Sequence, residues 1–118
     1  MADRQHLGAA GERAAADFLR RHGYALLARN YRCPGGEVDV IALERGAVVF
    51  VEVKARADLE RALEAVTPEK RRRLNRAVRV WLSAHPQAAV LTLRGDAVFC
   101  APWRWPRHHP AAFELDLG

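Results

Sequence analysis

The stretch GGEVDVIALERGAVVFVEVKAR, residues 35–56, decides the fold of this chain. It reads as two short strands joined by a tight turn at Arg45-Gly46, both rich in the Val and Ile that suit a pleated sheet. Side chains two apart on a strand share a face. Glu37, Asp39, Ile41 and Leu43 therefore fall on one side of the first strand. On the second, Val48, Phe50, Glu52 and Lys54 share a side, with Val49, Val51 and Val53 opposite. As antiparallel neighbours, the start of one strand would lie beside the end of the next, and their polar ends would meet. Buried charges must be paired or must hold a metal. Two explanations stand side by side here. One is a structural salt bridge of Glu52 or Asp39 with Lys54 at the end of an edge hairpin. The other is a cation site, for which carboxylate oxygens suit Mg²⁺ or Mn²⁺.

The chain has 118 residues, 50% of them hydrophobic and 28% charged, which predicts one folded domain over 1–118. A net charge of +5 and a pI of about 10.0 favour a polyanionic partner such as nucleic acid. Two cysteines, Cys33 and Cys100, are too few for a disulfide framework, and no CxxC zinc pattern occurs, so free thiols in a reducing compartment are expected. The opening MADRQHLGAAGERAAADFL scatters acids and bases and lacks an apolar segment. Neither a signal peptide nor a membrane span is expected, and the expected location is the cytoplasm.

From Gln5 to His22 the pattern is helical, with Leu7, Gly11, Ala14, Ala15, Phe18 and Leu19 on one face and Gly23 as the C-cap. Glu12 sits at the edge of that arc. It is either a solvated acid or a third carboxylate reaching the site from a neighbouring helix. Tyr24 to Tyr31 reads as the first strand, followed by a Pro/Gly turn over residues 32–36. Residues 57–66 are helix-favouring or loop. Thr67-Pro68 then starts a helix that ends at His85-Pro86, with a core stripe of Leu74, Ala77, Val78, Trp81 and Leu82. Lys70 extends that stripe toward the sheet. Arg72, Arg76 and Arg79 lie opposite, as a solvated face or as a phosphate-contacting one. Residues 89–93 and 96–101 read as two strands around Gly95. The tail PWRWPRHHP, residues 102–110, interleaves aromatics with bases. It is either a stacking surface for nucleobases or, the more ordinary reading, a turn-rich tail with its Trp packed on the core. His108 and His109 lack the spacing of metal ligands. Residues 111–117 suggest a short last element. The order, helix then three strands, a helix and further strands, gives a mixed α/β sheet with a helix on each side, antiparallel at first and then parallel.

GEVDVIAL followed by VVFVEVKAR, with Gly11-Glu12 in the first helix and AVTPEKRRRL opening the next, closely resembles the YraN-like family of bacterial proteins. The likeness runs over nearly the whole chain and thins after Leu82, where Arg94-Gly95-Asp96 looks like the family's late Arg-x-Asp strand. The family has a restriction-endonuclease-like fold, which implies an αβββαβ core with helices on both faces of a mixed sheet. Asp39 followed by Glu52-x-Lys54 also matches the motif of the wider nuclease superfamily, and with Glu12 the set is similar to that of archaeal Holliday-junction resolvases. The resemblance implies Asp39 and Glu52 as ligands of Mg²⁺ or Mn²⁺ and Lys54 as the group that orients or activates water. It implies Glu12 as an auxiliary acid assisting the metal and Glu37 as ligand or scaffold. The sequence departs from the pattern at Val38, where the superfamily has Pro, at Ala55, where many members have Thr, and over residues 57–63, which lack a Ser/Gly-rich loop.

These residues suit metal-dependent hydrolysis of nucleic-acid phosphodiesters, with DNA of branched or processed structure as the expected substrate. Arg56, Lys70, Arg71, Arg72, Arg73 and Arg76 are the candidate backbone contacts. A two-fold homodimer, as related resolvases form, would suit paired cuts. The rival is a protein that binds nucleic acid, or assembles on it, with the nuclease scaffold but without turnover. A third reading is a purely structural charge cluster.

Overall fold

The computed structural model describes residues 2–55 and 68–117. Arg56, the stretch 57–66, the Thr67 cap and the Leu7 side chain lie outside the described residues. Helix α1 spans Ala2–Arg21. It closes at Gly23, whose φ of +89° only glycine adopts cheaply. The Gly23 N–H donates to the Arg20 carbonyl and the Tyr24 N–H to the Leu19 carbonyl, the paired bonds of a Schellman motif. Ala15, Ala16 and Leu19 are its buried face, while Ala14, expected inside, faces solvent. An alanine fits either edge of an apolar arc, so periodicity alone does not separate positions 14 and 16.

Strands β1 (Ala25–Cys33), β2 (Gly36–Glu44) and β3 (Ala47–Ala55) form an antiparallel meander. β1 runs two residues further than its sequence pattern suggests, which shortens the turn before β2. Arg45 and Gly46 join β2 to β3, both with positive φ, as the right-handed twist of a two-residue hairpin demands. Helix α2 (Pro68–Ala84) and a 3-10 turn (Pro86–Val90) carry the chain back to β4 (Thr92–Cys100), which lies parallel to β3. β5 (Arg107–Phe113) then pairs antiparallel with β4. The sheet order is β1-β2-β3-β4-β5. Val40, Ala42, Val49, Val51 and Val98 pack against Ala15 and Leu19 of α1. Val38, Ile41, Val48 and Phe50 pack against Leu74, Ala77, Val78 and Trp81 of α2. The result is an α/β fold with a helix on each face, consistent with the restriction-endonuclease-like architecture.

Four expectations change. The segment around Gly95 is one continuous strand, and part of the stretch expected as a separate strand is the 3-10 turn. Gly95 is no breaker: a Cβ there would collide with the ring of Phe113 from β5, so the missing side chain lets the two strands close up. The last element is β5 over Arg107–Phe113, earlier than residues 111–117. The tryptophans of the tail do not pack on the core: Trp103 is fully exposed and Trp105 is 75% exposed. Lys70 is exposed too, and the buried stripe of α2 begins at Leu74 and includes Asn75. Asn75 earns its burial by accepting a hydrogen bond from the Asp116 N–H at 3.1 Å.

Among the described residues, one charged group lies wholly inside. The fully buried Asp96 accepts two bonds from Arg94, at 2.8 and 2.9 Å, and one from the Ala111 N–H at 2.9 Å. His108 Nε2 stands 2.7 Å from its Oδ2. Arg94 also donates to the Tyr24 hydroxyl at 2.9 Å. Burial alone would raise the Asp96 carboxyl, but the bonds from His108, Arg94 and the Ala111 amide outweigh it and hold the group below the usual carboxylate range. The cluster ties Tyr24, just before β1, to β4 and β5 beside Phe18 of α1.

Candidate functional site

The β2–β3 ladder stops at the pair Val40–Val51. Beyond it, β2 continues alongside β1 to Gly36, and β3 continues alongside β4 to Ala55. The sheet forks there, and the fork is where the charged residues lie. Asp39 makes the split possible. Its Oδ2 accepts the Val53 N–H at 2.7 Å, so a side chain takes a backbone donor that the ladder no longer serves. Strict alternation also breaks at this point: Val38 and Ile41, three apart, both pack toward α2. The expected shared side for Ile41 and Leu43 holds, but the run from Glu37 through Leu43 is not one uninterrupted face. A carboxylate inserted between two strands turns the backbone where a period of two would carry it straight on.

On β3, Glu52 and Lys54 follow Val48 and Phe50 on the side facing α2. Lys54 Nζ stands 4.0 Å from Glu52 Oε1, the outer limit of an ion pair. Burial pushes the Asp39 carboxyl up to about 6, and the nearby charges of Glu12 and Glu37 add to the rise against the Val53 bond and Lys54. Burial likewise lifts Glu52 to about 8, with Asp39 and Glu37 adding to it and Lys54 and Lys70 opposing. Glu12 from α1 and Lys70 from α2 thus both act on the fork, from opposite faces of the sheet. Among the described residues, Lys54 and Lys70 lower these carboxyls less than burial and the neighbouring acids raise them.

That donor set bears on a metal. Among the described residues, no three His, Cys, Asp or Glu side chains gather into a ready cation cage. A pair of carboxylates is nevertheless what Mg²⁺ commonly uses, because it keeps several waters and completes its shell with substrate phosphate. Two partly buried, raised carboxylates with hard oxygen donors would suit such an ion.

The family model for Uncharacterised protein family UPF0102 matches residues 11–100, which take in the second half of α1, the whole fork and β4. The chain belongs to that family. It is 59% identical over 111 residues to a UPF0102 protein of Methylocella silvestris, covering 94% of this chain and 90% of the relative. A UPF0102 protein of Methylorubrum extorquens is 50% identical over 92% of this chain and 85% of its own length. One from Methylobacterium nodulans is 48% identical, over 92% and 84%.

In this UPF0102 member the basic residues of α2 have contacts of their own. Arg73 bonds Glu37 at 3.1 Å, and Arg76 Nε donates to the Pro34 carbonyl at 3.1 Å. Arg72 pairs with Glu69 at 3.0 Å, and Arg71 is exposed. Arg79 donates to the Asp116 carbonyl at 3.2 Å. Arg73 and Arg76 therefore clamp the turn before β2 to the helix. Gly36 completes the clamp: a Cβ on it would stand 2.7 Å from the Arg73 carbonyl oxygen and 2.8 Å from the Ala77 nitrogen. The sequence reading underrated two things. His108 does have a partner, Asp96, twelve residues upstream and reached only through the β4–β5 pairing. The tryptophans of the tail are solvent-facing, which nothing in the sequence indicated. No helix among the described residues is long and apolar enough to cross a membrane.

Proposed function

We propose that the chain is a divalent-metal-dependent phosphodiester hydrolase acting on nucleic acid. The observation that carries this reading is the fork itself: two partly buried carboxylates, Asp39 and Glu52, raised by desolvation and by neighbouring acids, with the Lys54 ammonium 4.0 Å from Glu52. A purely structural cluster would be expected to neutralise itself, as Asp96 does with Arg94. Asp39 and Glu52 would hold Mg²⁺ or Mn²⁺, and the bound ion would supply Lewis-acid activation of water and offset charge on the phosphate. Lys54, nearly enclosed beside Glu52, offers a fixed positive charge to the anionic phosphorane-like transition state and a donor to orient the attacking water. Glu12 adds negative charge to the fork from α1 and would assist through water. Glu37, bonded to Arg73, acts as scaffold, holding the start of β2 against α2. Lys70, whose charge reaches Glu52, and the exposed Arg71 would supply cations for the sugar-phosphate backbone.

The test is a screen of branched, flapped, single-stranded and duplex DNA and of RNA, with Mn²⁺ or Mg²⁺, for wild type beside Asp39→Asn and Glu52→Gln. Metal-dependent product from wild type, reduced at least about a hundredfold in both variants, is the expected result. Binding without product in any metal, or equal cutting by the variants, overturns the reading.

A further inference from the structure

The fork does not account for the connection between β4 and β5. Its sequence, APWRWPR over residues 101–107, carries two tryptophans and two arginines, and no acid occurs before Glu114. Trp103 is fully exposed and Trp105 three-quarters exposed. Large aromatics left in water forgo burial that is usually worth several kcal/mol each, roughly 25 cal/mol per Å². Backbone geometry adds a second cost. The Arg104 N–H donates to the Ala101 carbonyl at 3.4 Å across a turn with Pro102 second and Trp103 third. Trp103 has φ +64°, the position where such a turn calls for Gly or Asn. A bulky residue in that conformation is a genuine outlier. The chain thus spends backbone strain to hold an indole outward, between two prolines that stiffen the loop.

The place of the loop gives the display a target. β4 ends at Cys100, which pairs with Ala55, one residue past Lys54 and three past Glu52. The loop leaves the sheet at the forked end, about one strand spacing, 4.8 Å, from the end of β3. β5 re-enters at Arg107, opposite Phe99, whose own partner on β3 is Lys54. Indoles interleaved with guanidinium groups are what single-stranded nucleic acid meets in its binding proteins: bases stack on the rings while the cations follow the backbone. A basic chain with an acid-free loop favours that occupant over an acidic or apolar protein surface.

We propose that Trp103 and Trp105 form a stacking platform for unpaired nucleobases, so that the fork is fed by single-stranded segments or the unpaired arms of branched nucleic acid. This rests on the reading of the fork as a nucleic-acid site, and it names the substrate class. Arg104 and Arg107 would bind the adjacent phosphates. The platform selects by strand state, because a duplex keeps its base faces stacked on each other.

The experiment follows tryptophan emission in EDTA, without metal, so that it does not depend on turnover. Oligo-dT and a blunt duplex of equal length are titrated into wild type, a Trp103→Ala/Trp105→Ala double variant, Trp103→Gly and Glu52→Gln. The third tryptophan, Trp81, is buried and serves as an internal reference. Wild type and Glu52→Gln should both show quenching by oligo-dT. The double variant should lose about tenfold or more of its oligo-dT affinity, with little change for duplex. Trp103→Gly relieves the backbone strain, so it should melt no lower than wild type and still bind oligo-dT more weakly. An emission that does not move at saturating oligo-dT, or equal affinity in the double variant, overturns the platform. So does loss of a wild-type dimer in the double variant by sedimentation with no response to nucleic acid, which would assign the surface to self-association. Quenching by oligo-dT in a chain that cleaves nothing in any metal would leave the platform standing and remove only the hydrolase.

Discussion

At the residue scale, the chain handles its fully buried acid and its two partly buried ones in opposite ways. Asp96 is surrounded by donors and sits below the usual carboxylate range, while Asp39 and Glu52 are raised. The sign of the pH dependence follows. A carboxyl whose folded pKa lies above its unfolded value binds its proton more tightly in the folded state. Its stabilising contribution is complete below the unfolded value and is lost as pH climbs through the folded one. For Asp39 and Glu52 the window runs from about 4 to about 8. Melting of the metal-free protein should therefore weaken from pH 5 to pH 8, by on the order of 2–4 kcal/mol. Glu52→Gln should flatten that slope and melt higher than wild type at pH 8. Calorimetry across this range in EDTA checks it, and a wild type that gains stability toward pH 8 would contradict it. Asp96 contributes in the reverse sense, with its share lost only as pH falls through its lowered value. Mg²⁺ or Mn²⁺ added at pH 8 should recover the loss in wild type alone.

At the element scale, the fork depends on a helix placed against a glycine. Gly36 has the backbone of α2 where a side chain would be, and Arg73 and Arg76 bond to residues on either side of it. Gly36→Ala must push α2 away from the start of β2, because the obstructing atoms are main-chain. We expect a loss of about 1–3 kcal/mol, read by denaturant melting, together with weakened metal affinity as Glu37 and Asp39 move with the strand. Full wild-type stability in that variant would show that the turn is not clamped. These elements also mark how far the sequence could be read. The hairpin, its two-residue turn and the Gly23 close are written in local residue chemistry, and the structure has each of them. The forked ladder is not local. It arises because the Asp39 side chain substitutes for a strand partner, which no period-two count anticipates. Gly95 misled for a related reason: its cause is Phe113, eighteen residues on. The grouping of Asp39, Glu52 and Lys54 was legible because antiparallel pairing brings those ends together. The exposure of Trp103 and Trp105 was not, since a tryptophan in a turn ordinarily finds a core to cover it.

At the scale of the whole molecule, an excess of five positive charges surrounds a fork of raised acids. Affinity for nucleic acid should then come mainly from release of counterions and fall linearly in log–log form with salt. Arg71→Ala should weaken binding to all sequences alike and reduce the slope by about 0.7–0.9 for a phosphate contact. Fluorescence anisotropy over a salt series reads this directly. An unchanged slope would exclude the exposed side of α2 from the interface.

The parallel seam between β3 and β4 has a consequence for synthesis. Ala47 pairs with Thr92, so the valine-rich edge of β3 has no neighbour until some forty-five further residues have left the ribosome. During those seconds of translation AVVFVEVKA presents an open hydrogen-bonding edge that a second nascent chain could zip onto. Glu52 and Lys54 interrupt that edge with opposite charges near its end, as gatekeepers do in aggregation-prone strands. The same two side chains proposed to act on phosphate would thus already protect the unfinished protein from its copies.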